Sequence, residues 1–304
     1  MADKVSAPGY GAIAFGLRWV SDVPLSAFGQ APDRSKADVT VRRVAALAPR
    51  APVVTIANAT LCNDGIRFAM DDGVTVDIYP PGRIDWSAGP DWPGSFQPQF
   101  FGTLTALLLA WRGSVPIHGT SIEIDGKAWL ICGQSGAGKS TLGAALVASG
   151  AARLIADDLS VLEAMDDAVP SLYAGRPGMR LFPAIARLME QAGGGTARSE
   201  PGNDKLIIEP PRVPVLEPIP LAATILLGEG DTKKPWQREK LLREHRFRPR
   251  WMDAIPESDR RDRAIRRAAT TLPMLFIPSA EIHDAAAFTA RANAVLERIS
   301  SLES

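Results

Sequence analysis

The sequence predicts an α/β protein in which a mainly β N-terminal domain, residues 1–98, precedes an α/β domain with C-terminal helices, residues 99–304. Three observations support this prediction. Short runs of β-type residues, separated by Gly, Pro and Asp, fill about the first 100 positions. A strand, a glycine-rich loop and a helix follow in that order between residues 121 and 149. Apolar residues recur at helical spacing near the C-terminus.

Composition and charge narrow the class of protein. Of 304 residues 46% are hydrophobic, which is enough for a large core. Lys and Arg number 34, as do Asp and Glu, so no net field attracts nucleic acid or an anionic membrane. We see no signal peptide, and the longest apolar run, Leu104–Trp111, is too short to cross a bilayer. We therefore expect a cytoplasmic protein with neither nucleic acid nor membrane as partner.

Four runs in the first domain have strand character: ADVTVRRV (37–44), APVVTIANATL (51–61), GIRFAM (65–70) and GVTVDIYP (73–80). The segment Pro80–Pro98 is rich in Pro, Gly and Trp and has no periodicity, so we expect a connecting loop or a domain boundary. Its Trp86 and Trp92 would pack the two domains together or lie on a partner surface. The two cysteines, Cys62 and Cys132, are expected to be core thiols.

The second domain begins with a buried helix over Phe100–Arg112. Ser121–Cys132 then contains two β-rich runs joined by an Asp-Gly pair, which suits a tight hairpin turn. Lys139–Ser149 predicts a helix that stops at Gly150.

Between the hairpin and this helix lies GQSGAGKS, which meets the G-x-x-x-x-G-K-[ST] rule for a loop that cradles nucleotide phosphates. Its glycines let backbone N–H groups turn inward, and the helix adds its positive N-terminal end. Lys139 would reach the β/γ-phosphates and Ser140 would bind Mg²⁺. The alternative is a plain strand-to-helix turn, but the order of the flanking elements favours a nucleotide site. The residues expected to bind ATP are Gly133, Gln134, Ser135, Gly136, Ala137, Gly138, Lys139, Ser140 and Thr141.

A short apolar strand, Arg153–Ala156, ends in the pair Asp157-Asp158. Ligands of open α/β sheets collect at the carboxyl ends of strands, which would place both carboxylates beside the γ-phosphate. Neighbouring residues of a strand point to opposite sides, so one carboxylate would face the metal and the other an incoming hydroxyl. We find no acidic strand further along the chain of the kind that ATPases use.

His118, in PIHG ahead of the hairpin, is either a structural residue or a hydrogen-bonding partner of an active-site carboxylate or phosphate. His245 and His283 have no such context. Residues 221–227 predict a strand, and a charged stretch, Glu229–Arg250, separates it from the C-terminal helices. Residues 259–267 (DRRDRAIRR) fit a solvated helix face better than a basic patch. A closing amphipathic helix carries Phe288, Val295, Leu296 and Ile299.

The order IHG, hairpin, GQSGAGKS, helix and LIADD resembles HPr kinase/phosphorylase and the wider set of HPr-kinase-like serine kinases. The resemblance is strong over about residues 115–165 and looser to about residue 280. It implies a P-loop kinase core akin to phosphoenolpyruvate carboxykinase, with ATP and Mg²⁺ as cofactors. Thr141 stands where the bacterial regulatory enzymes usually have Glu.

The resemblance also implies roles. His118 matches an active-site histidine, and Lys139 and Ser140 match the phosphate and Mg²⁺ groups. One of the acidic pair activates the substrate serine, for which we favour Asp157, with His118 beside it, and Asp158 then contacts the metal. Arg180 and Lys205 fall in segments that either return cations to the phosphates or lie on the surface.

We expect a serine kinase that acts on a peptide or small protein. The segment used for phosphorolysis by true HPr kinase/phosphorylases is missing, and the N-terminal portion resembles the branch that phosphorylates the C-terminal serine of lasso-peptide precursors. Alternatives are an HPr(Ser) kinase of carbon regulation, a P-loop ATPase, or a nucleotide sensor. The family's tendency to assemble suggests a homo-oligomer.

Overall fold

The computed structural model of the chain describes residues 9–31, 36–96, 98–164, 168–199, 204–213, 216–231, 234–256 and 258–303. Together the strands and helices make a mixed α/β protein with several sheets.

Within these residues, nine strands before residue 88 form one mixed sheet. They are β1 (Tyr10–Ala14), β2 (Leu17–Ser21), β3 (Gly29–Gln30), β4 (Val39–Arg43), β5 (Pro52–Ile56), β6 (Ala59–Cys62), β7 (Gly65–Ala69), β8 (Thr75–Tyr79) and β9 (Arg83–Ser87). Their order in the sheet is β3-β1-β2-β4-β9-β8-β7-β6-β5. The four predicted runs are confirmed as strands, although 51–61 holds two, which reverse at Ala57 with a φ of 52°.

The predicted connecting loop Pro80–Pro98 is wrong in part, because β9 lies within it, paired between β4 and β8. In RIDWS the apolar Ile84 and Trp86 alternate with polar residues and are fully buried, which is the period-2 pattern of a half-buried strand. The surrounding Pro and Gly residues obscure this short alternation in the sequence.

Trp86 packs the first sheet against the helical segment that follows it. Its ring centroid lies 4.5 Å from that of Trp92 and 5.0 Å from that of Phe96. Phe96 stacks in turn on Phe100 at 4.1 Å. Of the two roles considered for these tryptophans, the contacts support packing between the regions, and the buried Trp86 cannot form a partner surface. Aromatic pairs of this kind contribute about 0.5–1.5 kcal/mol each beyond burial.

The predicted buried helix is confirmed: a π-helical turn at Phe100–Leu104 continues into α1 (Thr105–Trp111). Its apolar side chains share one hydrophobic core with the nine-stranded sheet and with Leu159, Val161 and Phe247 from later in the chain.

Eleven further strands of the described residues form two sheets. They are β10 (Val115–His118), β11 (Thr120–Ile124), β12 (Lys127–Gly133), β13 (Arg153–Ala156), β14 (Leu159–Glu163), β15 (Ser171–Leu172), β16 (Met179–Leu181), β17 (Ala197–Ser199), β18 (Leu206–Ile208), β19 (Ile219–Leu227) and β20 (Met274–Ile277). The larger sheet runs β10-β14-β15-β19-β12-β11-β13, with β20 beside β19, and the smaller runs β16-β18-β17.

The predicted hairpin is confirmed as β11 and β12, which turn at Asp125 and Gly126 with φ of 50° and 79°. Strand β12 lies centrally, antiparallel to β11 and parallel to β19. This arrangement brings the carboxyl end of β12, where the glycine loop starts, next to the end of β19.

Six helices complete the described part of the chain: α2 (Lys139–Ala148), α3 (Pro183–Gln191), α4 (Pro235–Glu244), α5 (Pro249–Ala254), α6 (Asp259–Thr271) and α7 (Ala285–Glu303). The predicted helix after the glycine loop is confirmed, and Gly150 follows it with a φ of 79°. The predicted closing amphipathic helix is also confirmed, as α7. It packs Phe288, Val295 and Ile299 into the core around α2, and Leu296 is partly buried.

The charged run 259–267 lies on α6, which buries Ala264, Ile265 and Ala268. Its charged side chains form ion pairs within the chain, including Arg260 with Glu163 at 2.9 Å and Asp262 with Arg243 at 2.8 Å. The interpretation as a solvated helix face is thus supported over a basic patch.

Both cysteines are buried and free, as predicted. None of the helices in the described ranges has the length and apolar character needed to cross a bilayer.

Candidate active site

The glycine loop, Gly133–Ser140, connects β12 to α2 through two left-handed residues, Gly136 with a φ of 82° and Gly138 with a φ of 92°. Residues with a Cβ are strained at these angles, so glycine is needed here for its backbone. Gly138 is the N-cap of α2 and has no side chain with which to cap it. The first N–H groups of α2 therefore remain available to an anion, which the helix dipole also favours.

Lys139 lies within the curve of the loop, almost buried at 8% exposure. Its Nζ donates to the carbonyl oxygens of Gly133 and Gln134, each at 3.0 Å. These bonds use two of the three ammonium donors and leave one for a phosphate oxygen. Burial lowers the pKa of Lys139, although the charges of Cys132, Asp158 and Asp157 act in the opposite direction.

The acidic pair lies in a tight turn between β13 and β14. The N–H of Leu159 donates to the carbonyl oxygen of Asp157 at 2.9 Å, and Asp158 between them has a φ of 69°. This is the geometry of a γ-turn with positive φ, which is rare and strained. The alternation behind the expected division between the two carboxylates is interrupted by the positive φ of Asp158; both carboxylates line one cavity, and Asp158 also borders a second.

Asp157 is 4% exposed and held at both carboxylate oxygens. Oδ1 accepts from the hydroxyl of Thr120 at 2.7 Å, and Oδ2 accepts from the main-chain N–H of Arg180 at 2.9 Å. The carboxylate therefore has one fixed orientation. The sequence did not mark Thr120, since nothing distinguishes one Thr of a strand as the partner of a carboxylate 37 residues away.

His118 contacts Asp158. Its Nδ1 lies 3.2 Å from the carboxylate Oδ1 and 3.2 Å from the carbonyl oxygen of Asp158. A carbonyl oxygen can only accept, so Nδ1 carries a proton and donates in this contact. Burial opposes ionisation of Asp158, but the hydrogen bond from His118 and the positive charges around the carboxylate, Arg176 and Arg180 among them, outweigh it and lower the pKa. The sequence favoured a place for His118 beside Asp157; its hydrogen bond goes to the neighbouring Asp158, and both carboxylates line a cavity that His118 also lines.

Two cavities meet at this pair. The smaller, of about 540 Å³, is lined by the catalytic and cation candidates of the sequence: His118, Lys139, Ser140, Thr141, Asp157, Asp158, Arg180 and Lys205. The larger, of about 1130 Å³, is lined on one side by Gly133, Gln134, Ser135, Gly136 and Ala137 of the loop. The two share His118, Asp158, Ser135 and Gly136. The histidine–carboxylate pair therefore borders both cavities, of which the smaller has three cationic side chains in its lining, Lys139, Arg180 and Lys205.

The far wall of the larger cavity comes from the charged stretch, which the sequence presented as a separator. The N–H of His118 donates to the carbonyl oxygen of His245 at 2.8 Å, and the N–H of Phe247 donates to Pro116 at 2.9 Å. These bonds hold the segment along β10. Burial lowers the pKa of His245, and the charge of Lys139 lowers it further. No sequence motif marks His245, because it lies far along the chain from His118, whose N–H it accepts.

An acidic residue also follows the parallel neighbour of β12. Strand β19 ends at Leu227, and Glu229, two residues later, lines the larger cavity beside the glycine loop. The sequence did not mark Glu229 as the acidic end of a strand, because Gly228 separates it from β19.

No protein-family model and no curated protein matches the chain. Among solved structures it is similar to the HPr(Ser) kinase/phosphatase from Coxiella burnetii, with 13% sequence identity and a TM-score of 0.33. The match covers 62% of this chain and 93% of that one. A functional assignment therefore depends on the geometry of the site.

Proposed function

We propose that the protein is an ATP- and Mg²⁺-dependent kinase that phosphorylates a serine hydroxyl of a peptide or small protein, with a P-loop core of the HPr kinase and phosphoenolpyruvate carboxykinase type. The observation that carries the proposal is the meeting of two cavities at the His118–Asp158 pair, beside a glycine loop. A kinase needs separate places for donor and acceptor that meet at the transferred phosphoryl group.

The smaller cavity fits the polyphosphate. Lys139 keeps one ammonium donor for it, and Arg180 and Lys205 line the same wall. Ser140 and the fixed carboxylate of Asp157 line this cavity and would hold Mg²⁺, since both offer oxygen ligands. Mg²⁺ bound there supplies neutralisation of the phosphate charge.

The larger cavity, which Gly133–Ala137 of the loop also line, fits the acceptor along the wall formed by the segment at His245. Asp158 borders both cavities, and its lowered pKa keeps it ionised at neutral pH. It would accept the proton of the serine hydroxyl as the oxygen bonds to the γ-phosphorus and the bond from that phosphorus to the β,γ-bridging oxygen of ATP breaks, which releases ADP. His118 would hold the carboxylate in place through its Nδ1–H. This assignment exchanges the roles that the sequence favoured, because Asp157 is buried and already accepts two hydrogen bonds.

We propose the class of the acceptor, a serine of a peptide or small protein, and no single substrate. A C-terminal serine of a lasso-peptide precursor and a serine of HPr are the two candidates that the sequence suggested. Exposed cations and carboxylates both line the larger cavity, among them Glu229, Glu244 and Arg248, which suits a polar peptide segment. A homo-oligomer remains a prediction.

The test is transfer of label from γ-labelled ATP with Mg²⁺. The acceptors are HPr protein and an array of synthetic single-serine peptides, half of them ending in serine. Labelled peptide or HPr supports the proposal, and which of the two is labelled distinguishes the candidates. Label found only as free phosphate identifies an ATPase, and ATP binding without turnover identifies a nucleotide sensor; either would overturn it.

Two matched variants separate the carboxylates. Asp158→Asn should reduce transfer by at least about 100-fold without weakening ATP binding, because it removes the proton acceptor. Asp157→Asn should also reduce transfer, but it should raise the Mg²⁺ concentration needed for half-maximal ATP binding. The reverse pattern would restore Asp157 as the base.

A further inference from the structure

Phe182 is an exposed aromatic residue in the wall of the smaller cavity. Its relative exposure is 60%, although Phe is among the residues most often fully buried. It lines the cavity together with Gly138, Ser140 and Thr141 of the loop and the first turn of α2. None of the roles described above uses this ring.

The backbone holds Phe182 from both sides. Leu181 before it pairs with Leu206 in the small sheet, and Pro183 after it begins α3. Its carbonyl oxygen accepts the N–H of Ala186 at 2.9 Å. The ring is therefore presented to the cavity by a fixed backbone, which lowers the entropy cost of using it for binding.

One face of the ring is already in use. The Nζ of Lys205 lies over the ring, 4.9 Å from its centroid. A cation on one face of an aromatic ring is a favourable contact and leaves the other face for a second partner. A flat, neutral aromatic group is the ligand that such a face suits best, because stacking does not require a charge or a hydrogen bond.

We propose that Phe182 stacks against the base of the bound nucleoside triphosphate. The inference rests on the proposed function, which puts the phosphates on the loop. A cavity of about 540 Å³ is within the ordinary range for small-molecule sites, so a ligand anchored on Lys139 and Ser140 extends to its walls. Phe182 then binds the base, and Lys205 supports the ring from its other face.

Inorganic tripolyphosphate is the probe that separates base binding from phosphate binding, because it carries the phosphates without the base. Titration calorimetry of the full chain with MgATP and with Mg-tripolyphosphate would be compared for the wild type, Phe182→Ala, Phe182→Tyr and Trp236→Ala. Trp236 is the matched control, since it is 61% exposed and lines neither cavity.

Loss of one base–aromatic stack should weaken MgATP binding about tenfold in Phe182→Ala and leave tripolyphosphate binding unchanged. Phe182→Tyr should bind both as the wild type does, and Trp236→Ala likewise. Unchanged MgATP binding in Phe182→Ala, or equal losses for both ligands, would overturn the inference. Failure of the wild type to bind either ligand would instead overturn the proposed function.

Discussion

Thr120 and Asp157 are joined by a hydrogen bond of 2.7 Å between a hydroxyl on β11 and a carboxylate 37 residues later in the chain. The Cγ2 methyl of the same threonine lies 2.6 Å from the position that a Cβ at Gly143 of α2 would occupy. The helix that follows the glycine loop therefore supports the residue that orients the acidic one.

The hydroxyl of Thr120 is expected to act by positioning. Thr120→Val leaves Asp157 with one hydrogen bond fewer in a buried setting, so kcat for transfer should fall about tenfold, and Thr120→Ser should retain it. The Mg²⁺ dependence of ATP binding should shift in the Val variant as well. Equal activity of the Val and Ser variants, measured under saturating ATP, would rule out this role.

Gly143 has no side chain because Thr120 occupies the space. Gly143→Ala would add about 1 kcal/mol of helix propensity, but the methyl group collides with Cγ2 of Thr120. We expect a net loss of about 1–3 kcal/mol in the free energy of unfolding by urea. Thr120→Ser lacks that methyl group, so Gly143→Ala/Thr120→Ser should recover most of the loss. A double variant no better than the single one would show that the collision is elsewhere.

His118 is expected to hold Asp158. His118→Ala removes the hydrogen bond to the carboxylate, so transfer should fall by about 10–100-fold, and MgATP affinity should stay within about twofold. Because that bond lowers the pKa of Asp158, the acid limb of the kcat profile should move to higher pH in the variant. His118→Gln keeps a donor and should recover part of the rate. An acid limb at the wild-type position in His118→Ala would contradict this role.

The lowered pKa of His245 predicts that the stability of the fold depends on pH. Burial and the charge of Lys139 place its folded pKa below the ordinary value of 6.5, although Glu244 opposes the shift. As pH falls below about 6.5, the imidazole of the unfolded chain takes up its proton before that of the folded chain does. The free energy of unfolding therefore decreases below that pH, and above it this effect is absent. The free energy of unfolding should therefore drop less between pH 7.5 and 5.5 in His245→Asn than in the wild type. A drop as large in the variant, measured by urea titration, would refute the assignment.

Cys132 lies directly before the glycine loop and should be inert. Burial raises the pKa of its thiol to about 12, and the charge of Lys139 only partly opposes this. At pH 8 about one thiol in 10,000 is then ionised, so iodoacetamide should modify Cys132 only on unfolding. Mass spectrometry of the native protein after labelling would show this, and rapid native labelling at Cys132 would contradict it.

The sequence was most informative where function and local structure depend on the same few residues. The glycine loop, the hairpin before it and the helix after it follow from turn chemistry and periodicity, which act over fewer than about ten residues. The candidates His118, Lys139, Asp157, Arg180 and Lys205 line one cavity, so the motifs also indicated which segments lie together. Strand β9 was missed because its five residues lie among Pro and Gly.

Only the tertiary structure decided which carboxylate His118 contacts. Strand alternation predicts directions for an extended chain, but Asp158 has a positive φ and closes a γ-turn between β13 and β14, which interrupts the alternation, and this positive φ has no signature in an Asp-Asp pair. The partners of the pair, Thr120 and the segment at His245, come from other elements of the sheet. The sequence alone predicted the kind of chemistry that we propose, because residue types set it. The contacts between distant elements led to the role proposed for each residue, because roles depend on distance and burial.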